Sequence, residues 1–320
     1  MALTSLSLTE IPEVVDLVNR CHAVDGPNIR VEVEEFRQEL NSSVTVMDRD
    51  VQVSRDETGR IHGIAWTLHF PADSGLQRCY VEGAVDPESR GRGHGRALLD
   101  WGTGHARELL AASTPGSTPS SPRVIRVSRS ADNHSAARLH DRFDFVPVRW
   151  FDDLKRSLDD LPVRVTPPGI AIDPWPDNSL DVLNVKNLAF ADHWGSTPTT
   201  VDGWHELVHG FGGRTDLSSV ARDDSTGEIV GFLLTHRYPA DDAVNGERQA
   251  WIDKLGTLAS HRGRGVATAL IVEAMHRFRE HDLTHAMIGV DSESPTGAHR
   301  LYKGLGFAPH YSTVTSEIAL

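Results

Sequence analysis

Residues 81–97 read VEGAVDPESRGRGHGRA, and residues 253–269 read DKLGTLASHRGRGVATA. Each stretch is a short strand-like run, then an Arg/Gly knot, then an amphipathic run that opens with small residues. A turn of the form Arg-x-x-Gly-x-Gly/Ala at the start of a helix leaves several backbone N–H groups pointing outward. The helix dipole adds partial positive charge at the same place, so the turn suits a pyrophosphate. Two copies on one chain imply two nucleotide-cofactor modules.

The duplication extends beyond these turns. Thr58-Gly59-Arg60-Ile61-His62-Gly63-Ile64 has its counterpart in Thr226-Gly227-Glu228-Ile229-Val230-Gly231-Phe232, 168 residues later. Arg90 and Arg262 are 172 apart, and RLHDRFDF at 138–145 matches RLYKGLGF at 300–307, 162 apart. The shifting offset implies loops of different length, and the Ser/Pro/Thr-rich stretch 113–122 is an insertion that suits neither a helix nor a central strand.

With 320 residues the chain has room for two domains. Net charge is −13, which argues against nucleic acid or an anionic membrane as the main partner, because phosphate would repel most of the surface. The only cysteines, Cys21 and Cys79, form no metal or disulfide spacing, which fits a reducing, cytoplasmic setting. The first residues have neither a basic segment nor a continuous apolar one, so no signal peptide is expected, and no apolar run reaches the length of a bilayer span.

The pattern predicts helices at 11–21, 33–40, 96–111 and 135–142 in the first half, with strands at 45–54, 61–70, 77–85, 124–128 and 148–155. The prolines Pro162, Pro167 and Pro168 mark a linker near 157–168. The second half repeats the order, from 171–173 and a helix at 180–189 to a last strand at 313–318. The expected domains are 1–158 and 163–320, each an α+β (mixed α/β) fold with a twisted mixed sheet flanked by helices. A dinucleotide-binding Rossmann turn is excluded, because neither knot has the Gly-x-Gly-x-x-Gly spacing.

Strand, Arg-x-x-Gly-x-Gly/Ala, helix, strand, then Leu-Tyr-x-x-x-Gly-Phe resembles the GCN5-related N-acetyltransferase (GNAT) superfamily, here in tandem, and is similar to two-domain acetyltransferases of the mycothiol synthase type. The resemblance implies acetyl-CoA (coenzyme A) as cofactor, a primary amine of a small molecule as acceptor, and direct transfer in a ternary complex by a monomer or homodimer. The pyrophosphate cradle would be Arg262, Gly263, Arg264, Gly265, Val266, Ala267 and Thr268, and in the first half Arg90, Gly91, Arg92, Gly93, His94, Gly95 and Arg96. Backbone donors for the thioester carbonyl map to a bulge on the preceding strand, at Leu255, Gly256, Thr257 and Leu258, and at Gly83, Ala84 and Val85.

The family's thiolate-protonating tyrosine maps to Tyr302. His140 stands there in the first half, within a degraded motif in which Asp144 replaces glycine, so the first half is expected to be weak or inert in catalysis. The base candidates are Asp253 and, in the first half, Glu82. His193 and Trp194 fall in the acceptor region. Relatives that acetylate a thiol-sugar place a Glu early on the strand before the second turn, and here that position is Trp251. The resemblance therefore carries the scaffold and the donor but leaves the acceptor open.

Two other readings compete. Both turns could hold acyl-CoA as a non-catalytic sensing ligand. His205-Glu206-Leu207-Val208-His209 matches the His-Glu-x-x-His pattern of zinc peptidases, but the extended form needs His where Thr215 stands, so a surface helix is the plainer expectation and no metal is assigned.

Overall fold

The computed structural model describes residues 2–27, 29–70, 75–112, 122–293 and 297–320, so nearly all of the expected insertion lies outside the described residues. The chain forms two compact units, Met1–Trp150 with Ser312–Leu320, and Phe151–Tyr311.

In the first unit the order is β1 (Ala2–Thr4), α1 (Ile11–Asp25), α2 (Val33–Leu40), α3 (Met47–Asp50), β2 (Val51–Arg55), β3 (Ile61–Phe70), β4 (Gln77–Val85), α4 (His94–Ala112), β5 (Arg123–Ser130) and α5 (His134–Asp141). A long strand β6 (Val146–Ser157) then leads into the second unit. There follow β7 (Ile170–Pro174), α6 (Leu180–Ala189), α7 (Val201–His209), β8 (Ser219–Asp223), β9 (Ile229–His236), α8 (Ala240–Asn245), β10 (Gln249–Thr257), α9 (Val266–Glu280), β11 (His285–Asp291), α10 (Ala298–Gly304) and β12 (Ala308–Ala319).

Each sheet is antiparallel except for one parallel pair, β4 with β5 and β10 with β11. The strand order is β1-β2-β3-β4-β5-β12 in the first unit and β7-β8-β9-β10-β11-β6 in the second. The last strand of each repeat thus serves the other unit's sheet. β6 pairs with β11 from Phe151 to Ser157, and β12 pairs with β5 from Thr313 to Ala319. The units therefore differ from the repeats in sequence, which place 148–155 with the first half and 313–318 with the second. The cause is the duplication itself, since the two final strands are equivalent and alternation fixes which face a strand buries, not which copy it joins.

Helices cover both faces of each sheet. In the first unit α1 and α2 bury Ile11, Leu17, Phe36 and Leu40 against Val53 and Ile64, while α4 buries Ala106 and Leu110 against Cys79 and Ile125. In the second, α9 buries Leu270, Met275 and Phe278 against Ile252 and Ile288, while α6 and α7 bury Val182 and Trp204 against Phe232 and Leu234. Full burial of side chains of this size contributes about 1.5–3 kcal/mol each. Gly256 sets the depth of the α6 contact, for a Cβ there would lie 2.5 Å from Phe232 Cε1 and 3.2 Å from Ala189 Cβ.

One expected strand is shorter than the pattern suggests. Residues 47–50 form the helical turn α3, and β2 starts only at Val51. The fully buried Asp50 carboxylate accepts from Val46 N at 2.8 Å, from Arg49 and from His105 Nε2, and this local bonding displaces the ladder.

Candidate active site

Both Arg/Gly knots have the same backbone. Gly91 and Gly93 have φ of 76° and 94°, and Gly263 and Gly265 have φ of 75° and 86°. A Cβ at Gly91, Gly93 or Gly263 would meet nothing within 4 Å, so these glycines are needed for left-handed backbone, not for space. Gly265 is the N-cap of α9 and brings no side-chain cap, and no acidic side chain stands in the first turn. The N–H groups of Val266, Ala267 and Thr268 have no intrahelical acceptor, since the ladder begins with Ala269 N to Gly265 O at 3.0 Å. Ala97 N to Gly93 O, at 3.1 Å, repeats this in α4.

The arginines that open the knots do not face a ligand. Arg90 donates to both carboxylate oxygens of Asp25 at 2.7 Å and to Val85 O at 3.2 Å. Arg262 donates to Asp192, to Ala189 O at 2.9 Å and to Thr257 O at 3.3 Å. Their guanidinium groups tie the knot to the end of the preceding strand and to the C-terminal end of the unit's first helix, α1 or α6, with Asp192 just beyond α6. Their side chains hold the shape of the turn and leave its outward backbone N–H groups, the ones the sequence points to, free for a ligand. The His94 side chain is likewise turned away. Its ring is buried, with Nδ1 2.7 Å from Ser54 Oγ, and stacks on His62 at 4.9 Å, so only its N–H belongs to the turn.

The strand before each knot separates the two units. β10 loses register with β9 between Ile252 and Lys254, leaving Asp253 as the extra, bulged residue. β4 pairs with β3 without interruption from Arg78 to Val85. The expected bulge at 83–85 is therefore absent, and that expected at 255–258 lies earlier. A sequence signal existed: Val81 is nine residues before Arg90, whereas its counterpart Ile252 is ten before Arg262.

β10 and β11 pair only from Gln249/His285 to Ile252/Ile288 and then part. Past the bulge, Leu258 N bonds Val230 O at 2.9 Å, so Leu258 and Gly256 turn their amides to β9. Alternation sends the N–H groups of Leu255 and Thr257 to the opening instead. Leu258 is thus spent as a donor. In the first unit Asp86 N bonds His62 O at 3.0 Å, which turns Val85 to the open side and Ala84 to β3. Thr257 Oγ1 is buried without a partner among the described residues. An uncapped helix start, outward amides and an orphaned hydroxyl fit an anion and an amide-bearing chain, the two parts of coenzyme A.

Tyr302, on α10, is buried in the cluster that holds Val266, Ile288 and Val290. Burial pushes its phenol up to about 12, so it stays protonated. His140 in the first unit is also buried, with Nδ1 unsatisfied among the described residues, and burial pushes it down to about 4, so the ring is neutral. The carboxylates diverge as well. Burial raises Asp253, but Lys254 Nζ at 2.9 Å and the charge of His236 outweigh it and hold the group below its ordinary value, which makes it a weak base. Burial, with the charge of Glu39, pushes Glu82 up to about 8. Asp153, overlooked in the sequence because it lies on a strand assigned to the first half, is raised to about 6 by burial and by Asp152.

The segment after α6 carries the two acceptor candidates. Trp194 lies 6.2 Å from the Phe151 ring, and His193 Nδ1 lies 3.3 Å from Trp194 O, with its ring 5.5 Å from that of Phe190. The His-Glu-x-x-His segment is α7, where the His205 and His209 rings approach to 4.9 Å. Among the described residues no group of three or more His, Cys, Asp or Glu is arranged to hold a metal ion, and no helix is long and apolar enough to cross a membrane.

The model of the acetyltransferase (GNAT) family matches residues 181–307. A mycothiol acetyltransferase of Acidothermus cellulolyticus is 28% identical over 276 residues, which cover 81% of this chain and 76% of that protein. One of Stackebrandtia nassauensis is 31% identical over 236 residues, 71% of this chain and 70% of that one. Among solved structures, a GCN5-related N-acetyltransferase from Sphaerobacter thermophilus superposes with a TM-score of 0.78 at 22% identity, over 99% of this chain and 95% of that one. A tandem GNAT protein from the clavulanic acid biosynthesis pathway gives 0.70 at 17% identity, over 99% and 98%, and shares the fold. The chain belongs to the GNAT family in its tandem form, and is an acyltransferase that uses acetyl-CoA.

Proposed function

We propose that the second unit transfers the acetyl group of acetyl-CoA to a primary amine of a small molecule by direct attack in a ternary complex, and that the first unit is catalytically degenerate. The observation that carries this reading is the bulged, splayed end of β10 in the second unit, set against the unbroken β3–β4 ladder of the first.

When bound, acetyl-CoA supplies an activated acetyl group as its thioester. The chain's own groups supply the rest. The turn Arg262–Gly265 and the first amides of α9 hold the pyrophosphate. The N–H groups of Leu255 and Thr257 face the opening, where charge develops on the carbonyl oxygen. Tyr302 keeps its proton and can give it to the departing sulfur. The first unit keeps the left-handed glycines, which supports retained CoA binding, but has neutral His140 in place of the phenol.

The relatives' name makes a mycothiol precursor one acceptor class. Trp251, paired with His236 and Met287, stands where those relatives' carboxylate is expected, and this favours a different amine. The test is a panel of primary amines, among them amino sugars, polyamines and cysteinyl amides, incubated with acetyl-CoA and followed by mass detection of acetylated product. Acetylation abolished by Tyr302→Phe and unaffected by His140→Ala supports the reading. Activity that tracks His140 instead overturns it.

A further inference from the structure

We propose that Asp153 takes the proton from the acceptor amine, so that the second unit's base arrives on the strand that closes the first repeat. This rests on the reading of the second unit as an amine acetyltransferase.

Asp153 pairs with Gly289 on β11, one position beyond the last β10–β11 pair, Ile252/Ile288. Its neighbour Leu154 is buried in the cluster under α9, so Asp153 faces the other side of the sheet. On that side Phe151, two residues away, meets Trp194. The row through Asp153 thus runs to Gly289, at the place where β10 parts from β11 and bulges at Asp253.

Gly289 is exposed although the residues on either side of it are buried, and a Cβ placed on it would meet only Asp153 Oδ1, at 3.4 Å. The missing side chain leaves a gap in the middle of the sheet with a carboxylate at its edge. No hydrogen bond or ion pair engages the Asp153 carboxylate among the described residues. Asp253, by contrast, is held by Lys254.

The first unit supplies the control. Applying the 162-residue offset, the counterpart of Asp153 is Thr315, and it pairs with Ser128 where Gly289 would stand. The two hydroxyls face each other at 3.4 Å, so side chains stand where the second unit has its gap, and neither is a base.

In the step, the acceptor ammonium gives one proton to the Asp153 carboxylate. The freed lone pair forms the C–N bond to the acetyl carbon while the C–S bond breaks and the sulfur keeps that pair. Tyr302 protonates the sulfur, and the second nitrogen proton restores the phenol. Asp153 returns its proton to solvent, so one proton is released per turnover. The raised affinity of Asp153 for protons, about 6, keeps it mostly ionised at neutral pH yet basic enough to act. The groups that share its surroundings are Asp152 beside it, Lys155 paired with Glu247 on the same face, Asp291 two residues beyond Gly289, His193 in the Trp194 segment, and the Asp253–Lys254 pair.

The test uses the full chain and the best primary amine of the panel, with kcat/KM for that amine measured from pH 5 to 9. The wild-type profile should fall below pH 6 with unit slope. Asp153→Asn should lower kcat about 10²-fold or more and remove that limb, with KM for acetyl-CoA unchanged, and Asp153→Glu should restore part of the rate. Gly289→Ser, which recreates the hydroxyl of the first unit without disturbing the fold, should lower kcat and displace the limb; it decides the question if Asp153→Asn does not fold. An Asp153→Asn or Gly289→Ser enzyme with the wild-type rate and profile overturns the assignment and leaves the proposed function standing. Failure of every amine removes both.

Discussion

Arg262 and Asp192 stand 70 residues apart in the chain and meet through two hydrogen bonds, Nη1 to Oδ2 at 2.6 Å and Nη2 to Oδ1 at 3.1 Å. The pair joins the donor cradle to the segment that carries His193 and Trp194. The Asp192 side chain is more than half exposed, so the ion pair by itself contributes below about 1 kcal/mol. Its larger effect is geometric. Arg262→Ala should lower the melting temperature only slightly but raise KM for both acetyl-CoA and the amine. Arg262→Lys should recover little, because one ammonium cannot reach Asp192, Ala189 O and Thr257 O together. An unchanged amine KM would show that the two halves of the site are not coupled.

The glycines separate the roles of the two units. At Gly263, Gly91 and Gly93 the surroundings are open, so alanine costs only what a left-handed residue costs, about 1–2 kcal/mol. Gly263→Ala should therefore raise KM for acetyl-CoA by several-fold. Gly91→Ala should destabilise the chain by a similar amount and leave steady-state kinetics unchanged. Equal kinetic damage from both would mean that both units turn over.

Tyr302→Phe should lower kcat about 10²-fold or more while leaving acetyl-CoA binding, read by calorimetry, near the wild-type value. The sign of the pH effect follows from burial. A phenol pushed up to about 12 keeps its proton through the range in which the enzyme can be assayed, so Tyr302 contributes no fall in rate between pH 8 and 10. An alkaline limb in that interval that vanishes in Tyr302→Phe would contradict the assignment.

Much of this was legible in the sequence because it is local. The knots at 90–96 and 262–268 read directly as left-handed turns that open helices, since glycine spacing is a backbone property. The strands 61–70 and 77–85 appear where alternation put them. Three features depend on residues far apart and escaped that reading. The crossing of β6 and β12 is invisible to periodicity, because either copy satisfies the same pattern. Asp153 inherits its role from that crossing. The engagement of Arg90 and Arg262 by Asp25 and Asp192 required the fold, since no local pattern pairs an arginine with an acid 65 or 70 residues away. The bulge at Asp253 differs, being a one-residue change in spacing that comparison of the two repeats can reveal.

The first unit carries its own titration. Burial, with Glu39 nearby, pushes Glu82 up to about 8, and burial raises Glu39 although Trp66 Nε1 donates to it at 3.1 Å. The folded chain therefore binds these protons more tightly than the unfolded chain, whose glutamates titrate near 4.3. Below that pH both states are protonated and the groups cost nothing. For Glu82, from about 4.3 to 8 the unfolded state releases a proton that the folded state keeps, so stability falls as pH rises, by at most about 1.4 kcal/mol per unit, and the loss levels off above 8; Glu39 acts in the same direction. Glu82→Gln should flatten this slope and gain most at pH 8, with no gain near pH 4. Urea denaturation of the full chain at pH 4, 6 and 8 measures it. A Glu82→Gln protein that keeps the wild-type slope would place the carboxylate in water rather than against Glu39.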